Sequence, residues 1–299
     1  MNDLSQVRSP GGNSRRPLTA VENRRLAACV AIGANQQPDS ISYAHSILSQ
    51  VGLPRRKLSS DRFERTCGNA SLLVEAGSIW TGGRWQKQHL PYGVKPRLAL
   101  VHLCTEAVRN ESPRVELGAS VRDFLLCLGL DTSGAEYRRF ISQMNALASC
   151  RMTLRIGATT IDARPIKRFD AWLDRDGRRR VLWPAEVELS MEFYESLVRH
   201  AVPLDPRALG ALRNSALAID VYVWLAHRLW RISSANGTTV SWSNLRSQFG
   251  HEYQTAKDFK KAFLKALRTA LAVYPRATIS LVAGGLKLLP SPPPHDTWP

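Results

Sequence analysis

The sequence predicts an α+β chain made of two tandem winged-helix domains behind a basic, partly disordered N-terminal arm. Three observations carry that expectation. Leu128-Gly129-Leu130 leads through a short loop to Tyr137-Arg138-Arg139, and Phe249-Gly250 leads through a similar loop to Phe259-Lys260-Lys261, so an aromatic-basic-basic triplet opens an amphipathic helix twice. Each of those helices follows another that ends near a Gly and precedes alternating β-branched residues with turn signals, giving the order helix, strand, helix, helix, hairpin. The chain has 299 residues and 44% hydrophobic content, enough for two cored domains.

Taken in order, residues 1–17 hold Pro10, Gly11, Gly12 and Arg15-Arg16-Pro17, the composition of a flexible basic arm. Thr19 is placed to cap a short helix that fades at Gly33, and residues 35–60, with the cluster Arg55-Arg56-Lys57, read as a connector. Residues 70–75 read as a strand, and Gly82-Gly83 as a hairpin turn. Pro96 begins a helix over 97–109, with Leu98, Val101, His102, Thr105 and Val108 on one face. A strand at 115–117 and a helix at 120–128, ended by Gly129, lead to the third helix at about 133–149. There Tyr137, Ile141, Met144 and Ala148 form the expected buried stripe, opposite a solvent face of Arg138, Ser142, Asn145 and Ser149. Strands follow at 152–156, 159–165 and 180–189, with Asp174, Asp176 and Gly177 in a turn, and a helix at 191–200 closes the unit.

Pro203 and Pro206 mark a boundary, since each lacks an amide donor and restricts the residue before it. Beyond it come a helix at 216–231, a strand at 240–242, a helix capped by Ser243, the recognition-type helix at 256–273, and a hairpin at 278–289 turning at Gly284-Gly285. The expected organisation is therefore an arm and connector (1–60), a first winged helix (61–203), a second (204–290) and a Pro-rich tail (291–299).

The net charge of +16 points to a polyanionic partner, with nucleic acid foremost, because cations facing phosphates release condensed counterions. It is unevenly spread. Residues 97–203 carry 16 basic against 14 acidic side chains, whereas 204–299 carry 12 against 5 and 1–96 carry 13 against 6. In the second recognition-type helix Lys257, Lys261, Lys265 and Arg268 recur at helical spacing with Lys260 beside them, opposed only by Asp258. These cations begin in the first turn, where the helix dipole disfavours them, so phosphate contact accounts for them better than helix stability does. The first recognition-type helix differs. Its Arg138, Arg139, Ser142 and Asn145 mix charge with hydrogen-bonding groups suited to base edges, while Arg164, Lys167 and Arg168 on the following hairpin would touch backbone or minor groove.

Other function classes lack their motifs. No run approaches the roughly 20 apolar residues of a membrane span, and no secretory pattern opens the chain, so the expected location is the cytoplasm, away from membranes. Cys29, Cys67, Cys104, Cys127 and Cys150 form no C-x-x-C pair and read as reduced hydrophobes. The seven histidines, His45, His89, His102, His200, His227, His251 and His295, never fall two apart, as a relaxase metal pair would require, and no phosphate-binding G-x-x-x-x-G-K-[ST] loop occurs. Asp170, Asp174 and Asp176 fit a turn. No enzyme activity, cofactor or metal is expected.

Several blocks carry a family resemblance. They are Phe63-Glu64-Arg65-Thr66, Leu72-Leu73-Val74-Glu75-Ala76-Gly77, Leu90-Pro91-Tyr92-Gly93 before Lys95-Pro96-Arg97-Leu98-Ala99-Leu100, and Cys150-Arg151-Met152-Thr153-Leu154. Arg168-Phe169-Asp170-Ala171-Trp172-Leu173, Val202-Pro203-Leu204-Asp205-Pro206-Arg207-Ala208-Leu209, Trp224-Leu225-Ala226-His227-Arg228-Leu229 and Lys257-Asp258-Phe259-Lys260-Lys261 continue it. From about residue 40 to 294 the chain resembles the plasmid-encoded RepA replication initiators of Gram-negative bacteria. The resemblance implies binding to repeated sites in double-stranded DNA at a plasmid origin, duplex opening, and contacts with the host initiator and replicative helicase. By analogy with more distant iteron-binding initiators, it implies that the C-terminal winged helix is the main DNA reader while the N-terminal one also serves a homodimer. The expectation is a non-enzymatic initiator whose two third helices enter successive major grooves. A winged-helix transcriptional repressor is the alternative. Direct repeats beside an A·T-rich stretch near the gene would favour the first, and a lone promoter palindrome the second.

Overall fold

Helices form where amphipathic runs meet a polar cap, and strands where β-branched residues alternate between turn glycines. In the computed structural model, residues 18–34, 38–167 and 186–295 are described. The helices are α1 (Ala20–Gly33), α2 (Ser46–Gln50), α3 (Val94–Arg109), α4 (Val121–Cys127), α5 (Gly134–Ser149), α6 (Met191–Arg199), α7 (Pro206–Leu212), α8 (Ala216–Arg228), α9 (Trp242–Phe249) and α10 (Ala256–Leu271). The strands are β1 (Ser42–His45), β2 (Arg62–Cys67), β3 (Ala70–Glu75), β4 (Ser78–Thr81), β5 (Arg84–Lys87), β6 (Arg114–Glu116), β7 (Arg151–Ile156), β8 (Thr159–Ala163), β9 (Glu186–Glu188), β10 (Ala201–Leu204), β11 (Thr238–Ser241), β12 (Ile279–Val282) and β13 (Gly285–Leu288). The fold is mixed helix and sheet, α+β. The arm expected over 1–17 and the turn at Asp174, Asp176 and Gly177 lie outside the described residues, as does most of the strand expected at 180–189.

The chain divides into two units, one of Ser42–Val202 and one joining residues up to Ile41 with those from Pro203 onward. In the Ser42–Val202 unit, β2, β3, β7 and β8 form an antiparallel sheet in that order. Alternation along β3 turns Ala70, Leu72 and Val74 inward, and its register sets Leu72 against Leu154 and Val74 against Met152. The described part of the expected connector, residues 38–60, is instead built into the fold. It carries β1 and α2, and Ile47, Val51 and Leu53 are buried in the core. The apolar run there is too short for a periodicity to show, and burial supplies the stability that local pattern lacks.

His45 ties this region down. Its Nδ1 accepts from the Ile47 N–H at 3.2 Å, which leaves Nε2 to donate to Ser196 Oγ at 3.0 Å, and the ring stacks on Phe193 at 5.3 Å. Complete burial pushes its pKa down to about 3, so the ring is neutral. Arg97 acts similarly: its guanidinium donates to the carbonyls of Leu53, Pro54 and Gly93 at 2.6, 3.0 and 2.7 Å. Helix α3 packs against β1, α5, α6 and β6, so most of its circumference is buried rather than the single expected face.

The second unit has a three-stranded sheet, β11-β13-β12, with α9 packed on β11 and α10 packed on α8 and α9. Its core is aromatic: Trp224 meets Phe249 at 5.5 Å, Phe249 meets Phe263 at 5.4 Å, and Phe263 meets Phe259 at 5.5 Å. Gly284 takes φ 85° in the hairpin turn, and a Cβ on Gly285 would run into the Val240 carbonyl, so both glycines are structurally required. Helix α9 is capped by Ser241, which accepts from the Asn244 N–H at 3.1 Å, two residues before the expected cap Ser243. A helix the sequence pattern did not reveal, α7, starts at Pro206, is capped by Asp205, and packs against α1.

The two units share an element order but not a sheet plan. In the second, β11 joins the β12–β13 hairpin in one sheet. In the first, the equivalent strand β6 pairs with β9, while the β7–β8 hairpin is extended by β3 and β2.

Candidate nucleic-acid interface

Helix α10 begins at a capping interaction: Thr255 Oγ1 accepts from the Asp258 N–H at 3.0 Å and donates to the Asp258 carboxylate at 2.7 Å. Asp258, the acid within α10, is thereby engaged at the cap. Phe259, Phe263, Ala266, Leu267 and Ala270 form its buried side. Lys257, Lys260, Lys261, Lys265 and Arg268 are all exposed. Among the described residues none of the five forms an ion pair. Five cations on one face repel one another unless an anion lies against them.

Beside this face, α9, the turn after it and the start of α10 enclose a recess of about 860 Å³, lined in part by Trp242, Arg246, His251, Tyr253, Lys257 and Lys260. Lys260 Nζ sits 4.8 Å from the Trp242 ring centroid, and Arg246 Nη2 donates to the Gln254 carbonyl at 3.1 Å. The sequence pattern did not single out Trp242, Arg246 or His251. Their signal was position, since Trp242 opens α9 and Arg246 lies in its last turn, next to the loop that leads to the cationic helix.

Helix α5 is built otherwise. Its buried arc holds Phe140, Gln143, Met144, Ala146, Leu147 and Ala148, and Tyr137 and Ile141 are only half-buried. Asn145, expected on the solvent face, is 8% exposed, and its Oδ1 finds no hydrogen-bond partner among the described residues. The reason is that α5 packs on α3, α4 and β4, burying a wider arc than one stripe. The close approach extends to Gly77, where a Cβ would run into the Ser149 carbonyl. Ser149 is half-buried and donates to the Asn145 carbonyl at 2.8 Å. Base reading by Asn145 does not fit this placement.

The remaining groups of α5 are exposed but partly occupied. Arg139 Nη1 lies 2.8 Å from Glu136 Oε1, and the other oxygen of that carboxylate is 2.7 Å from Lys95 Nζ. The hydrogen bond from Lys95 holds the Glu136 carboxyl below its ordinary range, with Arg139 adding to the effect. Ser142 Oγ is 2.8 Å from His89 Nε2. Arg138 is exposed and in no ion pair among the described residues. Of the expected wing contacts, Arg164 is exposed just past β8, Lys167 is exposed and 3.5 Å from Glu188 Oε1, and Arg168 lies outside the described residues.

Cys127 Sγ lies 3.7 Å from His102 Nδ1, with the ring edge-on to Phe124 at 4.9 Å. Partial burial raises the thiol pKa, with Glu106 adding to the effect, which is the wrong direction for a nucleophile. Among the described residues no cluster of three or more His, Cys, Asp or Glu side chains is arranged to hold a metal ion, and no helix is long and apolar enough to cross a membrane.

The folds of known structures give a partial parallel. Domains 2 and 3 of RctB superpose with a TM-score of 0.51 at 14% identity, covering 80% of this chain and 89% of that one. A second structure of RctB domains 2-3 gives 0.47, again at 14% identity, covering 78% and 83%. At this identity the likeness concerns the fold alone. No curated protein sequence matches the chain. Residues 90–244, just over half of the chain, match the family described as Plasmid encoded RepA protein, and the chain belongs to that family.

Proposed function

We propose that this protein is a plasmid replication initiator that binds repeated sites in double-stranded DNA at an origin through two winged helices, and then promotes duplex opening. Membership of the plasmid encoded RepA family supports the replication role. The element orders α8-β11-α9-α10-β12-β13 and α3-β6-α4-α5-β7-β8 support the winged-helix reading, the second unit more fully because its strands share one sheet. The observation that carries the proposal is the face of α10, where five exposed cations without an ion pair among the described residues lie beside a recess lined by Arg246 and His251. In this reading α10 enters the major groove as the main grip, and α5 offers a weaker contact through Arg138. Host initiator and helicase are recruited by protein contact, a homodimer forms through the first winged helix, and no covalent chemistry occurs.

Duplex binding measured over a range of salt tests the grip. Replacing Lys257→Ala with Lys261→Ala should weaken binding to all sequences and flatten the salt dependence by about one unit for each phosphate no longer neutralised. An unchanged slope would show that this face does not touch DNA. The replication role is tested by asking whether a plasmid carrying only the gene and its flanking DNA maintains itself in a suitable host, and failure there would remove it.

A further inference from the structure

The β4–β5 hairpin stands apart from every role given so far. It is a two-stranded sheet closed by Gly82 and Gly83 at φ 58° and 76°, the mirror-image geometry of a two-residue turn. Ile79, 5% exposed, anchors one face. On the other face the register sets Trp80 opposite Trp85 and Ser78 opposite Lys87. Trp80 is 53% exposed and Trp85 70%, and they meet edge to face with centroids 5.5 Å apart. Lys87, on this face, is held 3.1 Å from Asp61, while Arg84, exposed after the turn, alternates to the Ile79 face.

A cross-strand aromatic pair steadies a hairpin by about 0.5–1.5 kcal/mol, and that contribution is present here. It does not account for the exposure. The edge-to-face arrangement uses one ring edge and one ring face, leaving the remaining indole surface in water, while Trp224 in the second unit's core is 1% exposed. A steric staple could be built from smaller β-branched residues. Two open indoles with a lysine, Lys87, on their own face suit a partner that is flat, aromatic and anionic, which is the chemistry of unpaired nucleotides. The hairpin also sits beside α5. β4 packs on that helix, and His89, two residues beyond β5, reaches Ser142 on it.

We infer that the β4–β5 hairpin is a stacking platform for single-stranded DNA, taking up unpaired bases on Trp80 and Trp85 while Lys87, on the same face, exchanges Asp61 for a backbone phosphate. The inference rests on the reading of the chain as an origin-opening DNA-binding protein, and deepens it by assigning a second, structurally distinct surface to the opened strand. The full-length protein is titrated against a labelled oligothymidylate of about 12 nucleotides, within the range one binding surface covers, and separately against a duplex of mixed sequence. Trp80→Val with Trp85→Val keeps strand-forming side chains but removes the rings. It should cost tenfold or more in single-strand affinity, about the loss of one stacked base, and change duplex affinity less than twofold. Trp80→Phe with Trp85→Phe should retain most of the single-strand binding. Circular dichroism and thermal unfolding check that each variant is folded. Unchanged single-strand binding in the Val variant, or an equal loss on both DNAs, would overturn the inference. Loss of duplex binding in the Lys257→Ala, Lys261→Ala protein with single-strand binding intact would leave it standing. Photocrosslinking of the unmodified protein to oligonucleotide carrying 5-iodouracil supplies a readout independent of any variant. Adducts should map to the hairpin, and adducts confined to other segments would overturn the proposal.

Discussion

Helices α5 and α10 begin with the same aromatic-basic-basic triplet and occupy the same place in their units, yet their surroundings make them different objects. On α10 the cations point away from a core that covers one side only, and the helix's own acid, Asp258, is engaged at the cap. On α5 the second of the two arginines is tied to Glu136, which Lys95 also holds, and packing on three elements draws Asn145 inside. A shared sequence signature thus fixes where a helix begins, while its charge balance and packing decide what its surface can touch.

The largest effect expected from this contrast is in acid, and it should strike the unit holding α5. His45 there has its folded pKa depressed to about 3. Its neutral ring therefore contributes in full above its unfolded value near 6.5, and that contribution is lost as pH falls toward about 3. At about 1.4 kcal/mol per unit the whole effect is on the order of 5 kcal/mol. Hydrogen exchange at pH 4 should show β1 and α2 opening first, and a uniform loss of protection across both units would blur the distinction. Next comes charge reversal on α10. Lys261→Glu with Lys265→Glu should weaken duplex binding on the order of 100-fold, because two favourable phosphate contacts become repulsive, whereas Arg138→Glu with Arg139→Glu on α5 should weaken it much less. Equal losses in a binding titration would make the two helices equivalent after all. A smaller effect is expected at Asn145. Asn145→Leu removes a buried carbonyl that has no hydrogen-bond partner among the described residues and should be neutral or stabilising by about 1 kcal/mol in denaturant unfolding, with sequence preference unchanged. A selective loss at one base position would restore a reading role. Smallest is Arg139→Ala, whose exposed ion pair should alter stability by less than about 0.5 kcal/mol.

Much of this architecture could be read from the sequence, and the failures have physical causes. The Thr19, Ser120 and Ser133 helix starts and the Gly82-Gly83 turn depend on residues within a few positions, and they stand in the structure where the pattern placed them. The cationic face of α10 was legible because exposure there follows helical spacing alone. Asn145 and the connector at 35–60 were not, since their burial depends on elements distant in sequence, such as the pairing of α5 with β4 and the seat of His45 against Ser196. The pairing of β6 with β9 was hidden for the same reason: a three-residue strand carries no register of its own. The family match stops at residue 244, short of α10, so the most distinctive surface of the molecule rests on its own residues rather than on kinship.

The packing of α1 on α7 carries a consequence for the ribosome. The second unit is interrupted, and the first is inserted into it between Ile41 and Pro203. Helix α1 is made before the inserted unit and then waits while that unit is made before its docking partner α7 emerges. Synthesis therefore favours completion of the inserted unit before the outer one closes, so the surface carrying α10 is finished after the inserted unit.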